Sequence, residues 1–126
     1  MSDTIYWNKE FNNYNELYAL IQKVEKSLLN LNVTVWTKNS FIKNTEHIWY
    51  VAISIESDDI DYVYIFKYHT KYKILYGFST TTNRVDLVPL TMNSNPSLFH
   101  MFYNSLISAI GENKPIHQLP LFYYNE

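Results

Sequence analysis

The sequence predicts an α+β fold: a two-layer sandwich in which an antiparallel five-stranded β-meander carries an N-terminal and a C-terminal helix packed on one face. Three observations lead to it. Residues 14–31 repeat apolar side chains at three- and four-residue steps, the middle of the chain breaks into short β-rich runs divided by polar loops, and Asn95-Pro96 opens a second helical stretch after the last run.

The first helix begins at a capping box, with Asn13 as the N-cap and Glu16 three residues on, so that each side chain satisfies a free backbone N–H. Tyr14, Leu17, Ile21, Val24, Leu28 and Leu31 form its apolar stripe, while Asn15, Glu16, Gln22, Lys23, Glu25 and Lys26 fill the side expected to face water. Such a stripe also suits a dimer seam, but a single helix beside β-rich sequence is expected to pack on its own sheet. From Val33 the pattern changes to runs at 33–37, 48–56, 60–68, 72–79 and 84–90, rich in branched and aromatic residues. TIYW at 4–7 is a candidate extra edge strand. The second helix has Asn95 as cap, Pro96 at its first position and Gly111 as its stop, with Leu98, Phe99, Phe102, Leu106, Ala109 and Ile110 as its stripe. Two prolines in the tail PIHQLPLFYY predict an extended or irregular segment that packs through Leu119, Leu121 and Phe122.

Residues 62–78 place aromatic rings almost wholly on even positions. Three-residue loops at 57–59, 69–71 and 80–82 would set 56 opposite 60, 68 opposite 72 and 79 opposite 83. That register sends Trp49, Val51, Ile53, Ile55, Val63, Ile65, Leu75, Gly77, Val85 and Leu87 to the face under the helices. It sends Tyr50, Ala52, Ser54, Tyr62, Tyr64, Phe66, Tyr68, Tyr72, Ile74, Tyr76, Phe78, Arg84 and Asp86 to the opposite, open face, where the tyrosines form cross-strand ladders. An open face this rich in tyrosine suits recognition.

With 126 residues, 47% hydrophobic and 17% charged, the chain is expected to fold as one domain over residues 1–126. A net charge of -2 argues against nucleic acid as the main partner, since phosphate-binding domains are usually strongly basic. Cysteine is absent, which excludes disulfides, thiolate metal sites and a cysteine nucleophile and fits a reducing compartment. The N-terminal residues have neither a basic n-region nor an apolar h-region, and no apolar run is long enough to span a bilayer, so a cytoplasmic protein is expected. Only two glycines occur, which leaves no glycine-rich phosphate loop, and no cofactor is expected.

Chemistry-bearing residues fall into three groups. Glu56, Asp58, Asp59 and Asp61 crowd one hairpin tip; they lack the glycine and distal glutamate of a calcium loop and instead suit the docking of a basic partner. At the other end of the strands the register gathers Lys38, Lys43, His47, Lys67, His69, Lys71 and Lys73. His47, His69, His100 and His117 show no metal-ligand spacing, and no serine elbow is present, so no catalysis is expected. The expected partner-binding set is therefore the acidic tip together with Tyr62, Tyr64, Phe66, Tyr68, Tyr72 and Tyr76.

In size and in its lack of catalytic apparatus the chain resembles small partner-blocking proteins. These include immunity proteins that neutralise a cognate bacterial toxin, those of contact-dependent inhibition among them, and phage-encoded inhibitors of defence enzymes. The resemblance implies stoichiometric binding of a toxin or nuclease domain, with aromatic anchors and acidic steering. The alternative is a nucleic-acid or small-ligand binding domain that stacks its ligand on the tyrosine sheet.

Overall fold

Asn13 caps the first helix as its spacing predicts: in the computed structural model, which describes residues 5–40, 42–58, 60–79 and 87–111, its Oδ1 accepts from the Glu16 N–H at 3.1 Å. The Glu16 carboxylate reaches one residue further back than expected, accepting from the Asn12 N–H at 3.0 Å. Helix α1 runs Tyr14–Asn30 and buries Leu17, Leu20, Ile21, Val24 and Leu28. Leu31, expected on that stripe, is the C-cap residue and half exposed, because the helix ends before it can face the core. Helix α2 runs Pro96–Ile110, with Asn95 Oδ1 accepting from the Leu98 N–H at 3.1 Å and Gly111 in the left-handed conformation that ends it.

The strands are β1 (Ile5–Asn8), β2 (Thr34–Asn39), β3 (Ile48–Glu56), β4 (Asp61–His69), β5 (Ile74–Phe78) and β6 (Leu87–Pro89). They form one sheet in the order β1-β5-β4-β3-β2, antiparallel throughout that path. The fold is thus the expected α+β sheet with two helices, but not a strict meander. Chain-first β1 closes the far edge beyond β5, and β6 pairs in parallel with Asp61–Val63. Length explains the second departure: β4 has nine residues, β5 pairs only with Ile65–His69, and the remaining ladder positions are taken by β6. Residues 84–86 of the run expected there, the 80–82 loop, Thr4 of the first run and the tail 112–126 lie outside the described residues.

The register differs from the expected one by an odd number of residues in each central hairpin: Glu56 pairs one residue further on than expected, and Tyr68 faces Leu75 and not Tyr72, three residues further on. Glu56 faces Asp61 and His69 faces Ile74, so both turns hold four residues rather than three. The second turn is closed by the Lys73 N–H donating to the His69 carbonyl at 2.8 Å, with Lys73 at φ 55. Each odd shift reverses the parity of pairing, and the two reversals restore β5 while inverting β4 alone. Consequently Val51, Ile53 and Leu75 meet the helices as expected, but Val63, Ile65 and Leu87 lie on the face away from them. Tyr62, Tyr64, Phe66 and Tyr68 turn inward instead. They join Ile5, Trp7, Val35, Leu17, Ile21, Phe102 and Leu106 in the main core. Val85, Arg84 and Asp86 lie outside the described residues.

On the helix side the rings pack against α2 and against one another. Tyr64 packs against Phe102 of α2 at 4.7 Å between centroids and against Phe66 at 5.3 Å. Gly77 makes room for this stack: a Cβ there would stand 2.5 Å from Tyr64 Cε1 and 3.2 Å from Phe66 Cε1. The opposite face is not open at its centre either. Ala52, Ser54, Val63, Ile65 and Ile74 are wholly buried there, with Ile42, Tyr50 and Phe78 packed beside them.

Truncating a core ring and truncating an outer ring are expected to differ sharply. Tyr64→Ala should cost about 3–5 kcal/mol, and Gly77→Ala about 1–3 kcal/mol through overpacking. Tyr76→Ala, on the other face, should cost about 1 kcal/mol or less. Urea denaturation of the three variants measures this order; a Tyr76 effect larger than that of Tyr64 would mean that β4 is facing the other way.

Candidate docking surface

Three chain reversals meet at one end of the sheet. Helix α1 closes with the Leu31 N–H on the Leu28 carbonyl and passes through Asn32 at φ 64, which turns the chain directly into β2 opposite the end of β3. Beside it stand the β3–β4 turn and the capped start of α2. Together they line a cleft of about 410 Å³ through Asn32, Thr34, Glu56, Ser57, Asp58 and Asn95. Leu29 and Leu31 from the first reversal and Ile60 from the second are exposed at 48%, 50% and 37%. Met92, also exposed, sits in the turn that leads to Asn95. Apolar side chains left in water next to carboxylates are the makings of a docking surface.

The carboxylates themselves are held in an unfavourable pairing. Glu56 and Asp61 are direct cross-strand partners, a position at which like charges repel. Among the described residues no lysine or arginine forms an ion pair with either; the one ion pair between described side chains joins Lys73 and Glu10 at 3.3 Å, at the opposite end. Asp58 is exposed in the same turn, and Asp59 lies outside the described residues.

The aromatic half of the expected site is not assembled on the surface. Tyr62, Tyr64, Phe66 and Tyr68 are core residues, for the register reason given above. Tyr72 is half-buried in the β4–β5 turn, stacked on His69 at 4.7 Å. Tyr76 is half-buried on the face away from the helices, in a cross-strand row with Tyr6 and Lys67, and the Lys67 amine lies 5.1 Å from its ring centroid. Burial holds the Lys67 amine below its ordinary pKa. His47, Lys71 and Lys73 do share that end with Lys67 and His69, the Thr70 N–H donating to the His47 carbonyl at 2.9 Å and Ile48 facing His69, whereas Lys38 stands opposite Ala52 at the middle of β3 and Lys43 lies in the β2–β3 loop. The sheet therefore carries carboxylates at one end and cations at the other. Leu29, Leu31 and Ile60 escaped sequence reasoning because Leu31 fits the helical stripe and Ile60 fits a strand; only where the helix and the turn end exposes them.

Among the described residues no three His, Asp or Glu side chains converge as metal ligands, and no helix is long and apolar enough to cross a membrane. His100 stands exposed on α2, and His117 lies outside the described residues. No protein-family model, curated protein or solved structure matches this chain.

The buried phenols give a pH signature. Burial raises the pKa of Tyr68 above its ordinary value of 10.0, outweighing the Phe11 N–H that donates to its oxygen at 3.2 Å, and burial likewise raises Tyr14 and Tyr50. The unfolded chain ionises first, so stability is full below pH 10 and falls as pH climbs from there toward the folded-state values. Urea denaturation from about pH 9 to about pH 11 should show this decline, with a shallower slope in Tyr68→Phe. A parent slope that is flat over that range would contradict it.

Proposed function

We propose that this chain acts by stoichiometric binding, as an immunity or inhibitor protein that docks its acidic end onto a basic surface of a toxin or nuclease domain. The observation that carries the reading is the Glu56–Asp61 pair: two carboxylates set directly opposite each other, without a described cation of their own chain and beside exposed Leu29, Leu31 and Ile60. A cationic partner relieves the repulsion, and the leucines and isoleucine supply apolar surface to desolvate around it. A surface that mimics the charge of a nucleic-acid backbone fits the groove of an enzyme that otherwise holds phosphate. An inhibitor of a defence enzyme, phage-encoded or otherwise, would use the same chemistry.

The nucleic-acid reading loses most of its support, because four of the rings it relied on are buried. Lys67, Tyr76, Tyr6 and Tyr50 remain as a half-buried row, and salt-sensitive binding of single strands by the unmodified protein would favour that reading.

The docking reading carries a trade-off that a purely structural acidic turn would not. Glu56→Lys should raise the melting temperature, since it turns a repulsive cross-strand pair into an attractive one. The same change, and Asp58→Lys, should slow association with the partner about tenfold or more and abolish growth protection on co-expression with the toxin domain. Leu31→Asp and Ile60→Asp should instead speed dissociation, and Lys26→Ala on the outer side of α1 should do little. Full protection by the Glu56→Lys, Leu31→Asp double variant would rule this end out as the docking surface.

A further inference from the structure

Among the described residues strand β2 is an edge strand, with β3 on one side and no strand on the other. Such an edge presents N–H and C=O groups outward at every second residue, which is a template for another strand. Thr37 is one of the outward residues: its N–H donates to Glu25 Oε2, and its carbonyl accepts from the Tyr18 hydroxyl at 3.0 Å. By the two-residue period Val35 and Asn39 are the others, while Thr34, Trp36 and Lys38 bond to β3. Thr37 is thus the middle of three. With both its groups taken, the two remaining outward residues stand about 13 Å apart, too far to seat successive bonds of one incoming strand.

The side chains that occupy Thr37 belong to a single stripe of α1. Steps of four and seven residues bring Tyr14, Tyr18 and Glu25 to within about 40° of one another around the helix axis. Tyr14 completes the row, its hydroxyl donating to Asn39 Oδ1 at 2.7 Å. Glu25 therefore belongs to the flank that overhangs β2, and not to the water-facing side on which its sequence position places it.

We propose that Tyr18 and Glu25 are a guard on the β2 edge, and that the unguarded edge would pair with β2 of a second copy of this chain across a two-fold axis. A second copy is the occupant that the strand's own sequence fits. Antiparallel pairing centred on Thr37 sets Val35 opposite Asn39 and brings Trp36, exposed at 39%, opposite Lys38 of the other copy. Two-fold symmetry makes that cation–π pair twice. The guard keeps this self-complementary edge from assembling while the acidic end stays available.

Two measurements test it. In the Tyr18→Phe, Glu25→Ala double variant, sedimentation velocity over a micromolar concentration series should show at least about a tenfold rise in dimer relative to the parent, reversed by adding Lys38→Glu with Trp36→Ser. A double variant that is folded by circular dichroism yet keeps the parent's mass throughout overturns the proposal. Should the double variant not fold, amide hydrogen exchange in the unmodified protein decides: the Thr37 N–H should exchange about tenfold more slowly than that of Asn39. Equal rates at the two positions overturn it as well.

Discussion

Strand β4 is bonded along its whole length, to β3 on one side and to β5 and β6 in succession on the other. The two four-residue turns that flank it decide which of its faces meets the helices. Because side chains alternate at every residue, no intermediate orientation exists: either Tyr62, Tyr64, Phe66 and Tyr68 go inward together, or Val63 and Ile65 do. The rings go inward, and the rest of the core is arranged around them. Gly77 is bare because Tyr64 lies over it, Phe102 of α2 rests on Tyr64 and Phe66, and the Tyr68 oxygen accepts the Phe11 N–H where the chain passes from β1 to α1.

The same turn length composes the candidate docking end. A three-residue turn would have set Glu56 against Ile60, an ordinary pairing. The fourth residue sets it against Asp61 and leaves Ile60 in the turn, exposed. One insertion thus creates both a like-charge contact and an apolar neighbour for it. Such a cost in stability persists most naturally where a partner removes it. At the far end, Lys67, Lys71 and Lys73 stand beside the half-buried Tyr72 and Tyr76 and give the sheet an opposite polarity.

Helix α1 serves two demands at once. Its inner side supplies Leu17, Ile21, Val24 and Leu28 to the core, and its flank supplies Tyr14, Tyr18 and Glu25 to the open edge of β2. Tyrosine and glutamate are suited to that flank because their stems cover apolar surface and their oxygens reach backbone groups. The backbone groups of Thr37, at the middle of that edge, are thereby satisfied.

The fold class, both helices, their asparagine caps and the positions of the central strands were legible in the amino-acid order, because capping spacing and hydrophobic period are local properties. The acidic tip was equally legible as a run of carboxylates. The face of β4 was not. Its even positions are all rings and its odd positions mix Val63 and Ile65 with Asp61 and Lys67, but the branched aliphatics of β3 share the odd parity and mask that sign, and the β4–β5 turn uses Lys73 in a left-handed conformation where glycine or asparagine would have announced a bend. Tertiary packing made that choice, setting Tyr64 and Phe66 against Phe102 of α2. It also decided the parallel pairing of β6, the exposure of Leu31 and Ile60, and the reach of Glu25 to Thr37, each of which depends on where an element ends relative to another and not on the residues within it.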